Sequence, residues 1–185
     1  MSATLDTALQ ELEEYRQTHP EAPRCVRDIL EFRSDVAVMN EQQQQELVSL
    51  CLTEAQWESV QRSKTYRQSS AWRVADVDGL ARTLMGSYRT SYQLYSEFLP
   101  VPDHAPPLRF YSIRECARLQ GIPEWFSFNP AEPSSTRAGD KSSSGDANVQ
   151  RGVVPVGAVY KLIGNAVNPI VVEHLGRALL ACLPP

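Results

Sequence analysis

The chain has 185 residues, 42% of them hydrophobic, with a formal net charge of −4 at neutral pH. That length and apolar content allow one domain with its own core, or a domain with appendages. No apolar run approaches the roughly 20 residues a membrane-crossing helix needs. The isolated histidines (His19, His104, His174) and four scattered cysteines (Cys25, Cys51, Cys116, Cys182) have no metal-ligand spacing.

Charge is unevenly placed. Residues 1–60 carry 4 basic and 12 acidic side chains, residues 61–95 carry 6 basic and 2 acidic, and residues 96–185 carry 8 of each. The middle segment is therefore the candidate surface for an anionic partner. Nothing at the start resembles a signal peptide. Unpaired, buried thiols point to an intracellular compartment, nucleus or cytoplasm.

The first segment, residues 1–22, reads as an amphipathic helix. Leu5, Leu9 and Leu12 form its stripe, Glu11, Glu13 and Glu14 face water, Thr4 caps it and Pro20 stops it. Val26 to Phe32 reads as a short second helix. Beyond Asn40, a Gln-rich solvated run leads into Leu47, Val48, Leu50 and Cys51. Thr53-Glu54-Ala55-Gln56 matches a capping box and starts a helix through Trp57 and Val60.

From Ser63 to Leu99 helical spacing fades, and irregular strands and loops are expected, with Asp78-Gly79 as a turn signal. Arg62, Lys64, Arg67, Arg73, Arg82 and Arg89 are interleaved with Tyr66, Trp72, Tyr88, Tyr92 and Tyr95. Such a mixture suits phosphate neutralisation and base stacking, and equally a protein surface with arginines over buried tyrosines. Pro100 to Pro107 is a connector. Ser112-Ile113-Arg114-Glu115 is a second capping box, opening a helix with Ile113, Cys116, Ala117 and Leu119 inward and Gly121 and Pro123 at its end. Trp125, Phe126 and Phe128 are expected in the core. Residues 129–152, rich in Ser, Gly, Pro, Ala and Asp, are expected to form a flexible insertion.

The last segment, residues 153–185, holds Tyr160-Lys161-Leu162-Ile163-Gly164-Asn165-Ala166-Val167-Asn168-Pro169. It reads as a strand-like approach, a glycine turn and a helix start, with Asn168 as N-cap and Pro169 at the first helical position. The following helix places Ile170, Val171, Leu175, Ala178, Leu179 and Cys182 on one apolar face. Gly164 leaves room for a close approach by a ligand or another element.

Two of these segments carry a resemblance. Leu108 to Pro123, with Arg109, Ser112, Glu115, Gln120 and Gly121, resembles the ninth motif of the cytosine-5 methyltransferases. Tyr160 to Val167, with Pro169, resembles their tenth and last. Asp76 to Tyr88, with its Thr83-Leu84 pair, resembles the end of their target-recognition region. The resemblance implies an α/β fold, α+β as an isolated fragment. It would comprise a small target-recognition domain over residues 23–128 and the last motif of a Rossmann-like domain whose main sheet lies outside these residues.

By the same resemblance, Asn165, Ala166 and Val167 line a shared S-adenosylmethionine pocket, and Arg109, Glu115 and Gln120 organise the recognition region. Thr83, Arg73, Arg82, Arg89 and Tyr88 would touch nucleic acid. DNA is the expected partner. A tRNA substrate is the alternative, and Val26 to Glu31 weakly resembles a segment of that branch. The family's chemistry needs a thiolate to attack C6 of an extruded cytosine and a base to take the C5 proton. No Pro-Cys pair, Gly-rich cofactor loop or Glu-Asn-Val segment occurs in these 185 residues. The expectation is accordingly a split subunit or truncated product without catalytic residues of its own, working with a second chain that carries them. A non-catalytic binding or regulatory module, docking a partner through its acidic first helix, is the reading from another class.

Overall fold

The computed structural model describes residues 10, 13–15, 17–18, 20, 23–32, 39–68, 70–128 and 154–181. Gln10, Glu13 to Tyr15 and residues 17–18 are helical, and Pro20 sits in a turn. The stripe of Leu5, Leu9 and Leu12, the Thr4 cap, the 129–152 insertion, the Ala178 side chain and Cys182 lie outside what is described.

The elements run α1 (Val26–Ile29), α2 (Glu41–Leu50), α3 (Glu54–Arg62), α4 (Lys64–Gln68), a 3₁₀ turn (Ser70–Arg73), α5 (Tyr92–Tyr95), β1 (Leu99–Pro100), β2 (Leu108–Arg109), α6 (Ile113–Leu119), α7 (Val156–Asn165) and α8 (Pro169–Ala181). Three helix starts are set by reciprocal caps. Asn40 accepts from the Gln43 amide at 2.8 Å, Thr53 from Gln56 at 3.2 Å and Ser112 from Glu115 at 3.1 Å. In each box the third helical residue's side chain accepts in return from the capping residue's amide.

The sheet is minimal. Strands β1 and β2 pair antiparallel, Leu99 opposite Arg109 and Pro100 opposite Leu108. The ladder is extended on both sides by single bridges, Cys51 to Arg109 and Val74 to Phe98. The Leu52 amide donates to Leu108 O at 3.0 Å, and Phe110 N to Leu50 O at 2.9 Å. Four short extended segments are thereby joined, and helices cover them. The architecture is one of mixed helices around a two-stranded sheet, compatible with a fragment of an α/β protein.

Aromatic rings fill the centre. Phe98, Phe110, Tyr111, Tyr88 and Tyr160 are all buried, and Phe110 receives Tyr88, Tyr92 and Phe98 edge-on at centroid distances of 5.8, 5.8 and 5.3 Å. Each buried tyrosine hydroxyl has a partner. Tyr88 Oη donates to Glu97 O at 2.9 Å and accepts from the Tyr111 amide at 2.8 Å. Tyr160 Oη donates to Tyr111 O at 2.9 Å, and Tyr111 Oη to the Glu97 carboxylate at 2.9 Å. These bonds tie the 88–97 segment, the strand end and α7 into one core, since an unmet buried hydroxyl costs about 1–3 kcal/mol.

Several expectations are corrected here. Ser63 to Leu99 is largely loop and turn as expected, but in place of irregular strands it holds three short helical pieces, α4, the 3₁₀ turn and α5, with α3, α4 and α5 packed on one another. The approach to Gly164 is not strand-like. Residues Val156–Asn165 form a helix that buries Val159, Tyr160 and Ile163 at helical spacing. Trp125 and Phe126 are surface residues, 82% and 44% exposed, in the bend that leaves α6.

Gly164 is the residue on which the docking of α7 depends. A Cβ there would lie 2.4 Å from both the carbonyl carbon and the oxygen of Met85, and 2.6 Å from the Gly86 nitrogen. Backbone cannot yield as a side-chain tip does. Gly164→Ala is therefore expected to destabilise by about 1–3 kcal/mol, the usual cost of overpacking. A urea unfolding midpoint lowered relative to the parent checks this, with Gly157→Ala as control, since a Cβ at Gly157 meets nothing within 4 Å.

Candidate nucleic-acid and cofactor surface

The site begins from a buried ion pair. Arg109 Nη1 meets Glu115 Oε2 at 2.7 Å and Nη2 meets Oε1 at 2.8 Å, with the two side chains 3% and 0% exposed. Burying opposite charges is tolerable only when the remaining donors and acceptors are also met. Here Glu115 also accepts from the Ser112 amide at 2.8 Å and the Glu31 amide at 2.9 Å, while Arg109 Nη1 donates to Phe110 O at 3.0 Å. Ser112 Oγ in turn donates to the Glu31 carboxylate at 2.6 Å. Strand β2, the start of α6 and the segment after α1 are thus clamped together. Gln120 is the C-cap of α6, its backbone amide donating to Cys116 O and Ala117 O.

On this frame sit two glycine–asparagine contacts. The Asn165 side chain covers Gly86, where a Cβ would lie 2.2 Å from its Oδ1. Asn168 Oδ1 caps α8, accepting from the Ile170 amide at 2.9 Å, and the same side chain lies over Gly121, where a Cβ would be 3.1 Å away. Gly121 has φ +67°, the left-handed region that glycine occupies without strain, and ends α6. Both asparagines of the Gly-Asn-Ala-Val-Asn-Pro turn therefore seat on glycines of the preceding body. Asn165, Ala166 and Val167 lie at the surface of the turn, Val167 69% exposed. Together they expose a polar amide beside two small apolar side chains.

The residues expected at a nucleic-acid surface divide. Arg82 and Thr83 are exposed, on the loop that leads to Met85 and Gly86. Arg73 and Tyr88, also expected to touch nucleic acid, are buried, and Arg89 is half-buried. The Arg73 guanidinium donates to Ser96 O at 2.7 Å, Gln93 O at 3.0 Å and Tyr92 O. Burial, and then the charge of Arg82, hold its pKa below the ordinary arginine value. Tyr88 belongs to the core network, and burial pushes its phenol well up. Arg89 is half-buried, its guanidinium carbon 4.0 Å from the Phe110 ring centroid.

What the pattern did not reveal are the seats for the two asparagines. Gly86 and Gly121 owe their role to the asparagines that face them. Glu97 was equally silent. It is buried at 7% exposure and accepts from the Arg82 amide at 3.2 Å as well as from Tyr111, which positions the loop carrying Arg82 and Thr83.

Two of the described thiols, Cys51 and Cys116, are buried. Burial is the main cause raising the Cys116 thiol well above its ordinary value, with the Glu115 charge adding to it. Burial also raises Cys51, against the opposing charge of Arg109. A raised pKa and no exposure leave little thiolate at neutral pH.

No family model matches the chain, and no curated protein does. Among solved structures, the fold is similar to part of a methyltransferase. The crystal structure of S. pombe Dnmt2 methyltransferase matches at a TM-score of 0.50 and 22% identity, over 85% of this chain and 40% of that one. The chain thus spans less than half the length of the structure it matches.

Breaking the central pair by one partner is expected to cost about 3–5 kcal/mol, because the other charge stays buried alone. Chemical denaturation of Arg109→Met, Glu115→Gln and the double variant should show the double far less destabilised than the sum of the singles. For the thiols, iodoacetamide at pH 8 should leave Cys116 unmodified in the native protein and label it once urea unfolds the chain; native labelling would contradict the burial.

Proposed function

We propose that this chain is the C-terminal, target-recognition portion of an S-adenosylmethionine-dependent cytosine-5 methyltransferase. The observation that carries the reading is the junction of the Gly164–Asn168 turn with Met85–Gly86 and Gly121. It joins the segments resembling the last motif, the recognition loop and the ninth motif, in a chain whose fold is methyltransferase-like. In the bound state the cofactor supplies the methyl group. The part this chain plays is to present the Asn165–Val167 turn as one wall of the cofactor site and to hold Arg82 and Thr83 outward from the same junction.

The covalent step belongs to residues outside these 185. Its thiolate has no counterpart in a Pro-Cys pair here, since Arg24, Leu50, Glu115 and Ala181 precede the four cysteines. The exposed apolar side chains of α8 support a missing neighbour. Val171, Val172, Leu175, Leu179 and Leu180 are 51–70% exposed on a helix with few polar side chains, and such a face suits packing against a larger domain. The substrate is a cytosine-bearing nucleic acid, DNA by default for the family and tRNA as the alternative. Intracellular placement, nuclear or cytoplasmic, is part of the same proposal.

The test is complementation. A protein carrying the cofactor loop and the Pro-Cys segment is mixed with this chain, and labelled methyl is followed from S-adenosylmethionine into duplex DNA and into tRNA. Transfer is expected only from the mixture. In it, Asn165→Ala should raise the KM for the cofactor about tenfold, the order of one lost polar contact. Transfer by this chain alone would overturn the proposal, and salt-dependent nucleic-acid binding with no transfer in any mixture would favour a non-catalytic binding module.

A further inference from the structure

We propose that Trp72, with Arg82 beside it, is a stacking platform for an unpaired nucleobase. This deepens the nucleic-acid reading above and rests on it. Trp72 is 61% exposed on the 3₁₀ turn, an unusual place for the largest apolar side chain. The other tryptophan of this region, Trp57, is half-buried and packs edge-on against Tyr66 at 5.4 Å.

The backbone under Trp72 is fixed rather than loose. The next residue, Arg73, is buried and anchored to three carbonyls between Tyr92 and Ser96, and the one after, Val74, bridges Phe98. The indole is therefore held outward by a rigid support. That is the preorganisation a stacking contact needs, since little ordering entropy remains to be lost on binding.

The charge around it favours nucleic acid over an apolar protein partner. The Arg82 guanidinium carbon lies 5.0 Å from the Trp72 ring centroid. Lys64 and Arg67 are exposed on α4, which packs against the 3₁₀ turn. The carboxylates of the segment are turned to other work. Asp78 pairs with Arg27 at 2.8 Å, Asp76 accepts the Asp78 amide at 3.1 Å, and Glu97 is buried against Tyr111. Arg73 has only neutral carbonyls and a hydroxyl as hydrogen-bond partners, so its charge adds to the local potential. An indole with Arg82 over one face and the other face open, near the exposed Lys64 and Arg67, fits a base with its phosphate. It does not fit the interior of a duplex, where both faces of every base are already stacked.

The experiment uses the full chain with Trp57→Phe and Trp125→Phe, leaving Trp72 as the one tryptophan, excited selectively over the tyrosines. It is titrated with a fluorescein-labelled single strand of about 15 nucleotides, of the order of an aromatic-lined site, and with a blunt duplex of the same sequence. The single strand should quench Trp72 emission strongly and the duplex weakly. Trp72→Ala should weaken single-strand binding, read by anisotropy, about 5- to 150-fold. Trp72→Phe should retain most of the affinity, and an unchanged thermal midpoint shows that folding is intact. Single-strand binding that survives Trp72→Ala with Trp72 emission unmoved overturns this inference alone. Binding of neither nucleic acid at low salt overturns the nucleic-acid reading beneath it as well.

Discussion

A guanidinium and a carboxylate, Arg109 and Glu115, face each other where no water reaches, and the segment after α1, distant in sequence, meets the β2–α6 corner on them. Ser112 and the Glu31 amide complete the carboxylate's bonds, and Phe110 O takes another of the arginine's protons. A pair this deep is not a cheap source of stability, because desolvation consumes much of its Coulombic gain. What it supplies is uniqueness of arrangement. Any other register between β2 and α6 would leave a bare charge inside, and the core above the pair inherits that register through Phe110 and Tyr111.

The tyrosine network is the second consequence. Tyr88, Tyr111 and Tyr160 each place a ring in the apolar centre and a hydroxyl on a backbone carbonyl or on Glu97. The 88–97 segment has little regular structure of its own, so these bonds replace a ladder. They also explain why part of the basic segment is not surface. Arg73 and Arg89 spend their guanidinium groups on carbonyls and on an aromatic face, inside the fold, and the exposed charge is left to Arg62, Lys64, Arg67 and Arg82. A run of alternating cations and aromatics therefore resolves into an inner scaffold and an outer contact surface, with Trp72 at the boundary.

The turn between α7 and α8 depends on the same body in another way. Its asparagines do not project freely. One covers Gly86 and the other caps α8 while resting on Gly121. The turn is thus positioned from beneath, and whatever meets its outer side meets a preset shape. Such placement by close packing is consistent with a wall of a shared pocket, where half an ångström of slack would be felt by the ligand.

Read without coordinates, the chain already determined its caps and its sharpest features. The Asn40, Thr53 and Ser112 boxes are local hydrogen-bond patterns closed within four residues, and the Asn168-Pro169 start of α8 is equally local. The order of motifs pointed to the methyltransferase-like fold for the same reason, since each motif is contiguous. Tertiary structure alone decided which residues of the basic segment are interior and which face solvent. It also decided that the approach to Gly164 is helix and that Trp125 is exposed. These outcomes depend on groups far apart in the chain, the carbonyls of Tyr92 to Ser96 for Arg73 and the backbone of Met85 for Gly164. No spacing along the sequence carries the distance between them.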